Sequence, residues 1–398
     1  MFHKKKKSTK FLVAEIDNNQ IKVLALYQES EEKIRIIGSA IKTLQENTIV
    51  NYHILDKELV TLTLKEAVLE ATNELEEPIK GIIIGVKGTQ CIEITTTAKS
   101  TATHKRVIKE KDINEVYDRI IEAAYIQAQN EIVHISGDYD SNLEIIISSN
   151  VYNKIDHNFY EDPLGVEGEV LESAIFNAFC FTEDIKTIKK IVSKAGLDLL
   201  SISPIPYAIV QNITKMDIPE KTDYTLINFG EDITEIMVVF GKGLIDTKTL
   251  PIGYSHLREG LGYKMGLTTK EAEKVLETYS RGQLSETEEN IVQKCLNDIL
   301  YVWLEGIKLC FEEFSEVKTF ANQIYLTGEG TMLPDVINAL KEEPWYKEIP
   351  FKTEPEYKKI DINDFAFIDD ATSKITSPIW IPTQSLGIIY LEIQDQND

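Results

Sequence analysis

Two short polar turns hold the residues of this chain whose types and spacing could do chemistry. The first is Asp17-Asn18-Asn19-Gln20, set between the apolar runs Phe11–Ile16 and Ile21–Tyr27. The second is Gly230-Glu231-Asp232, set between Tyr224–Phe229 and Ile236–Phe240, with Asn228 just before it and Thr234 just after. β-Branched and aromatic runs joined by such turns read as hairpins. A short loop between buried strands can aim several backbone N–H groups at one point and hold a phosphate. Both turns, however, carry carboxylates, and a carboxylate repels a phosphate.

The elements that must position these turns recur. Each hairpin is followed by a third strand, near Ile34–Ile37 and at Leu244–Leu250, which makes the two halves of the chain internally duplicated. The first half continues with a helix over Leu62–Leu75 and a wholly apolar strand, Gly81–Val86, of the kind buried at the centre of a sheet. Between Lys87 and Asp162 the pattern predicts a separate α+β unit. It comprises a Thr-rich hairpin over Cys91–Thr103, a helix over Asp112–Asn130, and strands at Glu131–Ile135 and Leu143–Ser149. Downstream, an amphipathic helix spans Glu183–Lys194, and Thr268-Thr269-Lys270-Glu271 forms a capping box. A long helix covers Glu288–Phe314, and Gln323–Thr327 is a strand running into Gly328-Glu329-Gly330. Pro334 opens a further helix, the segment from Glu342 to Pro378 reads as loop, and Leu386–Ile393 reads as a final strand.

Composition narrows the function classes. At 398 residues the chain needs more than one core, and its 43% apolar and 27% charged content is that of a globular protein. The formal charge of −23 argues against nucleic-acid binding, which needs clustered cations. The basic run Lys4-Lys5-Lys6-Lys7 with Lys10 reads first as a solubilising tail. Its other reading is an electrostatic foot on an anionic membrane, at roughly 1 kcal/mol per lysine. Cys91, Cys180, Cys295 and Cys310 are far apart, and neither they nor the six histidines show metal-ligand spacing. No stretch approaches the ~20 apolar residues of a membrane-spanning helix, and the first residues lack the apolar segment of a signal peptide, so a cytoplasmic setting is expected.

Polar turns at matched strand ends, with a third after a helix pair, resemble the skeleton of the actin-like ATPase fold. The inserted unit and the return segment Asp162-Pro163-Leu164-Gly165-Val166-Glu167-Gly168-Glu169-Val170-Leu171-Glu172 resemble the bacterial division family FtsA. That family returns from its inserted subdomain through Asn-Pro-Xaa-Gly-Xaa-Xaa-Gly-Xaa-Xaa-Leu-Glu. Leu326-Thr327-Gly328-Glu329-Gly330 is similar to the family's adenosine turn, and Ser385–Tyr390 to its closing strand. Residues 251–276 fit PilM, the actin-like adaptor of type IV pili, about as well.

The resemblance implies an α/β fold of two duplicated halves around a nucleotide cleft, with an inserted α+β subdomain. It divides the chain into a basic tail (1–10), a first half (11–86 and 163–215), the insertion (87–162), a second half (216–256 and 319–398) and a helical subdomain (257–318). ATP with Mg²⁺ is the implied ligand. Its implied contacts are Asp17, Asn18, Asn19 and Lys22 in the first turn, Asn228, Gly230, Glu231, Asp232 and Thr234 in the second, Glu273 at the ribose or adenine, and Gly328, Glu329 and Gly330.

The departures from the family have physical consequences. Asp17 stands where the family has Gly, Asn18 where it has Ser or Thr, Asn228 where it has Asp, and Leu276 where it has Lys. Carboxylates at Asp17, Glu231 and Asp232 bring like charge to a triphosphate, and Asn228 cannot supply the negative charge that helps hold hydrated Mg²⁺. Nucleotide binding is therefore expected to be weak or lost, and hydrolysis absent or very slow. No residue reads as catalytic, and a sugar-kinase reading lacks a convincing catalytic Asp in the cleft and has poor phosphate turns.

The implied partners are the tail of FtsZ, or another short peptide, and further copies of the chain. The family's basic amphipathic C-terminal helix has no counterpart in the acidic Glu392–Asp398, so the membrane link is expected from the N-terminal lysines or from a partner.

Overall fold

The computed structural model describes residues 9–396 apart from 31–32, 137–141, 217–222, 242, 316 and 343. The N-terminal lysine run Lys4–Lys7 lies outside the described residues.

Two sheets repeat one topology. In the first, Lys10–Ile16, Gln20–Ser30 and Lys33–Thr43 form an antiparallel meander, and Lys10–Ile16 also pairs in parallel with Gly81–Val86. Asp198–Pro204 then adds in parallel beyond Gly81–Val86. In the second, Tyr224–Phe229, Thr234–Phe240 and Gly243–Leu250 form the meander, followed outward by the parallel strands Gln323–Thr327 and Glu356–Lys359. The hairpins superpose in register: Glu15 faces Lys22 across the first, and Asn228 faces Glu235 across the second. The inner strands of both sheets are buried almost throughout, as their unbroken apolar runs require.

Helix Lys57–Ala71 covers the first sheet and starts at Asp56, whose side chain accepts from the Leu59 N–H. It lies so close that a Cβ on Gly38 would come within 1.8 Å of the Ala71 carbonyl oxygen. That contact explains a glycine inside a strand that runs on to Thr43 instead of ending near Ile37. On the second sheet, helices Tyr254–Met265, Thr269–Ser280 and Glu286–Glu312 pack around Trp303, which is fully buried and stacked on Phe229.

The inserted unit differs from expectation in three places. Cys91–Val107 is one strand, not a hairpin, because its sequence contains no Gly, Pro, Asn or Asp to make a tight turn. Glu131–Ile135 continues the helix Glu110–Ser136, where Ala124, Ala128 and Ile132 keep one buried face at four-residue spacing. The central strand of the unit's sheet is Glu167–Phe181, paired to both Cys91–Val107 and Leu143–Ile155. The return segment from Glu167 onward therefore pairs within the sheet of the insertion.

The C-terminus also differs. Leu386–Ile393, expected as a strand, lies within the helix Ile381–Gln396. A short wholly apolar run does not distinguish a buried strand from a buried helix. This helix packs on Ile205–Thr214 and on the first sheet, stacking Tyr390 on Phe11, and Ile368–Asp370 pairs with Lys33–Thr43. Residues 368–396 thus pack on the first half, and Leu386 with its buried neighbours shares one core with Tyr224 and Leu226 of the second. Gly38→Ala should lower the thermal midpoint by several degrees, read by circular dichroism, because a backbone carbonyl cannot yield to the new Cβ. An unchanged midpoint would refute the close approach.

Candidate functional site

The cleft is built from matching strand ends of the two sheets. Glu15, the penultimate residue of the Lys10–Ile16 strand, is fully buried, and Asp17 and Lys22 are 3% exposed. Lys87 follows Gly81–Val86, at the place where Gly328 follows Gln323–Thr327 in the other half. Both lysines reach the same two carboxylates. Lys22 Nζ lies 3.0 Å from Glu15 and 3.4 Å from Asp17; Lys87 bonds to Glu15 and lies 3.2 Å from Asp17. Thr383 Oγ1 donates at 2.8 Å to the Glu15 Oε2 that also faces Lys22, and Lys22 also donates to the Ile379 carbonyl at 3.1 Å.

Burial opposes ionisation of Glu15, but the two lysines outweigh it and hold the carboxyl down at about 2. Burial and the Glu15 charge push Asp17 up to about 6 against the same lysines. Burial also works against the charges of Lys22 and Lys87, yet the carboxylates raise both above the ordinary lysine value. Two positive and two negative groups satisfy one another here.

The facing wall comes from the second hairpin. Asn228 Nδ2 donates to Glu235 Oε2 at 2.9 Å, and the Gly88 N–H donates to Glu235 Oε1 at 3.0 Å from the other half. Asn18 bridges the cleft: its Nδ2 donates to Asp232 Oδ2, and its Oδ1 accepts from the Tyr52 N–H, each at 2.8 Å. Tyr52 keeps a left-handed backbone (φ 64°), a strained state for a bulky residue, and forms part of the cleft wall.

The turn at residues 230–233 sits on the start of helix Tyr254–Met265. The Tyr254 and Ser255 N–H groups donate to the Gly230 and Glu231 carbonyls, and Ser255 Oγ donates to Asp232 Oδ1 at 3.2 Å. A helix N-terminus favours an anion, and here the chain places its own carboxylate beside it. Arg258, one turn later, binds Glu231 at 2.7 Å and Glu273 at 2.9 Å. Glu329 is buried, and burial with the neighbouring Glu231 raises its carboxyl well above the usual carboxylate range. The space left between Asp17, Lys22, Lys87, Asn228, Glu231 and Glu329 is about 20 Å³, room for one water.

Of the residues expected from sequence, Asp17, Lys22, Asn228, Gly230, Glu231, Asp232, Gly328 and Glu329 line this cleft. Asn18 crosses it. Asn19 is exposed on the turn. Thr234 lies behind it, donating to the Ile252 carbonyl and accepting from Trp303 Nε1. Gly330 lies under the Phe229 ring, which a Cβ would meet at 2.3 Å. Glu273 is held on Arg258, and Leu276 is buried in the helical core.

Sequence reasoning missed Glu15, Lys87, Glu235, Arg258 and Thr383. The duplication contained a signal for Lys87. Whatever follows Gly81–Val86 must face the cleft as Gly328 does, but Lys87 was counted as the start of the insertion.

No family model matches the chain. It is 22% identical over 285 residues to the cell division protein FtsA of Helicobacter pylori strain J99, covering 69% of this chain and 54% of that protein. The same protein of strain 26695 is 23% identical over 297 residues, covering 69% and 57%. The chain thus spans little more than half the length of the curated relatives it matches. Among solved structures, a PilM-PilN type IV pilus biogenesis complex superposes with a TM-score of 0.67 at 12% identity, covering 96% of this chain and 99% of that one. The fold is that of the actin-like ATPases, and the sequence is similar to FtsA.

A second contact between the halves lies outside the cleft. Glu93, in the first strand of the insertion, is buried and accepts from Thr247 Oγ1 at 2.6 Å, while Thr95 Oγ1 donates to the Leu244 carbonyl at 2.6 Å. Burial, with Glu235 and Asp246 nearby, pushes the Glu93 carboxyl up to about 8, against the Thr247 hydrogen bond.

Two outcomes follow. Lys87→Met should cost ~3–5 kcal/mol in chemical denaturation, because Glu15 and Asp17 keep buried charge with one cation fewer. Adding Glu15→Gln should recover part of that loss; an additive second loss would contradict the shared network. The folded chain also binds more protons at Glu93 than the unfolded chain does between pH 4.5 and about 8. Glu93 therefore makes stability fall as pH rises through that window, by a few kcal/mol in all. Glu93→Gln should flatten that fall in thermal melts across the window; an unchanged slope would refute the assignment.

Proposed function

We propose that the chain is an actin-like scaffold resembling FtsA, whose cleft is held closed by its own charges in place of a nucleotide. The observation that carries this is the full engagement of Lys22 and Lys87 by Glu15 and Asp17. The features that attract a phosphate are two lysines and a helix N-terminus, and each already faces a carboxylate of the chain. The residues at the nucleotide position are Asp17, Asn18, Lys22, Asn228, Gly230, Glu231, Asp232, Gly328 and Glu329, with Asn19, Thr234, Glu273 and Gly330 supporting the turns. ATP with Mg²⁺ binds there weakly or not at all, and the chain turns over no substrate.

In this reading the scaffold links the FtsZ tail to the cytoplasmic face of the membrane and self-associates at the division site. The FtsA similarity supports that role. Among the described residues no helix is long and apolar enough to cross a membrane. Membrane contact runs through the N-terminal lysines or a partner. The Asn18–Asp232 and Gly88–Glu235 hydrogen bonds join the halves without a ligand, so partner binding is independent of nucleotide.

The full-length superposition on a PilM-PilN complex favours a second reading, an adaptor that binds a short peptide of an inner-membrane pilus partner. A pull-down with the immobilised FtsZ C-terminal tail and, in parallel, with an N-terminal peptide of a pilus inner-membrane protein separates the two. Retention on the FtsZ tail, equal with and without Mg-ATP, is expected. Retention on the pilus peptide alone would replace the first reading by the second, and retention that requires Mg-ATP would contradict the closed cleft.

A further inference from the structure

Away from the ion network, the sheet of the insertion brings two thiols together. Cys91 opens the Cys91–Val107 strand, Cys180 lies next to last in the Glu167–Phe181 strand, and the antiparallel register sets them directly opposite. Their sulfurs are 2.9 Å apart, and both are free and buried. Directly opposed residues on antiparallel strands hold their Cα atoms about 4.5–5.5 Å apart, inside the ~4.4–6.8 Å that a disulfide spans. A bond between them therefore needs no strand movement.

The two thiols differ in access. Cys91 lines a cavity of about 370 Å³ between the insertion and the second half, together with Glu93, Phe181, Thr247 and Lys248. Cys180 does not line it and is 2% exposed.

We propose that Cys91 and Cys180 form a reversible disulfide site, in which Cys91 meets a small disulfide oxidant through the cavity and Cys180 resolves the mixed disulfide. Cys91 loses its proton, and its thiolate attacks one sulfur of a glutathione-type disulfide. The oxidant's S–S bond breaks, and one thiol leaves with the bonding pair. Cys180 then loses its proton and attacks the Cys91 sulfur, and the second thiol leaves. The protein gives up two electrons and two protons; the oxidant becomes two thiols.

Burial raises the Cys91 thiol well above its ordinary value, so the first attack is slow at neutral pH and faster as pH rises. The site also has structural reach. Cys91 follows the Gly88–Gln90 turn, whose Gly88 N–H donates to Glu235 across the cleft. A Cys91–Cys180 bond therefore anchors the base of the insertion beside the contact between the halves.

The test incubates the full chain with oxidised glutathione at about pH 8.5, near the ordinary thiol pKa, then alkylates remaining thiols and maps peptides by mass spectrometry. The expected product is a Cys91–Cys180 cross-linked peptide, with a thermal midpoint raised by a few degrees and restored by dithiothreitol. Cys180→Ala should stop at glutathione on Cys91, and Cys91→Ala should give neither product. Recovery of Cys91 and Cys180 as alkylated thiols after denaturation, or glutathione found first on Cys180, would overturn the proposal.

Discussion

The structure depends on a buried charge balance. Glu15, Asp17, Lys22 and Lys87 are removed from water where the two halves meet, and an isolated charge there costs several kcal/mol. The four remain ionised together because each cation contacts both anions, and Thr383 and the Ile379 carbonyl satisfy part of what is left. Such a network adds little net stability over an apolar core, but it is intolerant of being half-made. It ties the first hairpin, the strand end at Lys87 and the C-terminal helix into one conformation.

Duplication explains why the network sits where it does. The same hairpin, used twice, places position pairs 15/22 and 228/235 on opposite walls of one cleft. One wall carries an acid and a base, the other an amide and an acid. The asymmetry decides the outcome. Lys22 and Lys87 find carboxylates on their own wall, while Glu235 turns to Asn228 and to the Gly88 N–H. In a cleft arranged this way, a nucleotide phosphate has to displace existing ion pairs and not merely water.

Much of this was legible in the sequence. The apolar runs Phe11–Ile16, Gly81–Val86 and Tyr224–Phe229, the capping box at Thr268 and the repeated hairpin-plus-strand pattern lead to the fold, because each is a local signal that tertiary packing reinforces. The carboxylates Asp17, Glu231 and Asp232 are plain in the sequence, while the cations and hydroxyl that hold them are not. The failures were non-local. Within the helix Ile381–Gln396 the run from Leu386 to Leu391 is apolar and buried throughout, and periodicity then distinguishes nothing. Lys87 and Thr383 reach Glu15 from 72 and 368 residues away, distances at which a single sequence carries no pairing signal. Arg258 occupies Glu273, and only the packing of helix Tyr254–Met265 on the second turn brings those two together.

The central claim is that the chain's own carboxylates hold the groups a nucleotide would need. Calorimetric titration of the full chain with Mg-ATP tests it most directly. A cleft closed by its own charges gives no saturable heat up to roughly millimolar nucleotide, the regime of about −4 kcal/mol or weaker. Saturable micromolar binding, with nucleotide turnover comparable to active actin-like ATPases, would contradict it.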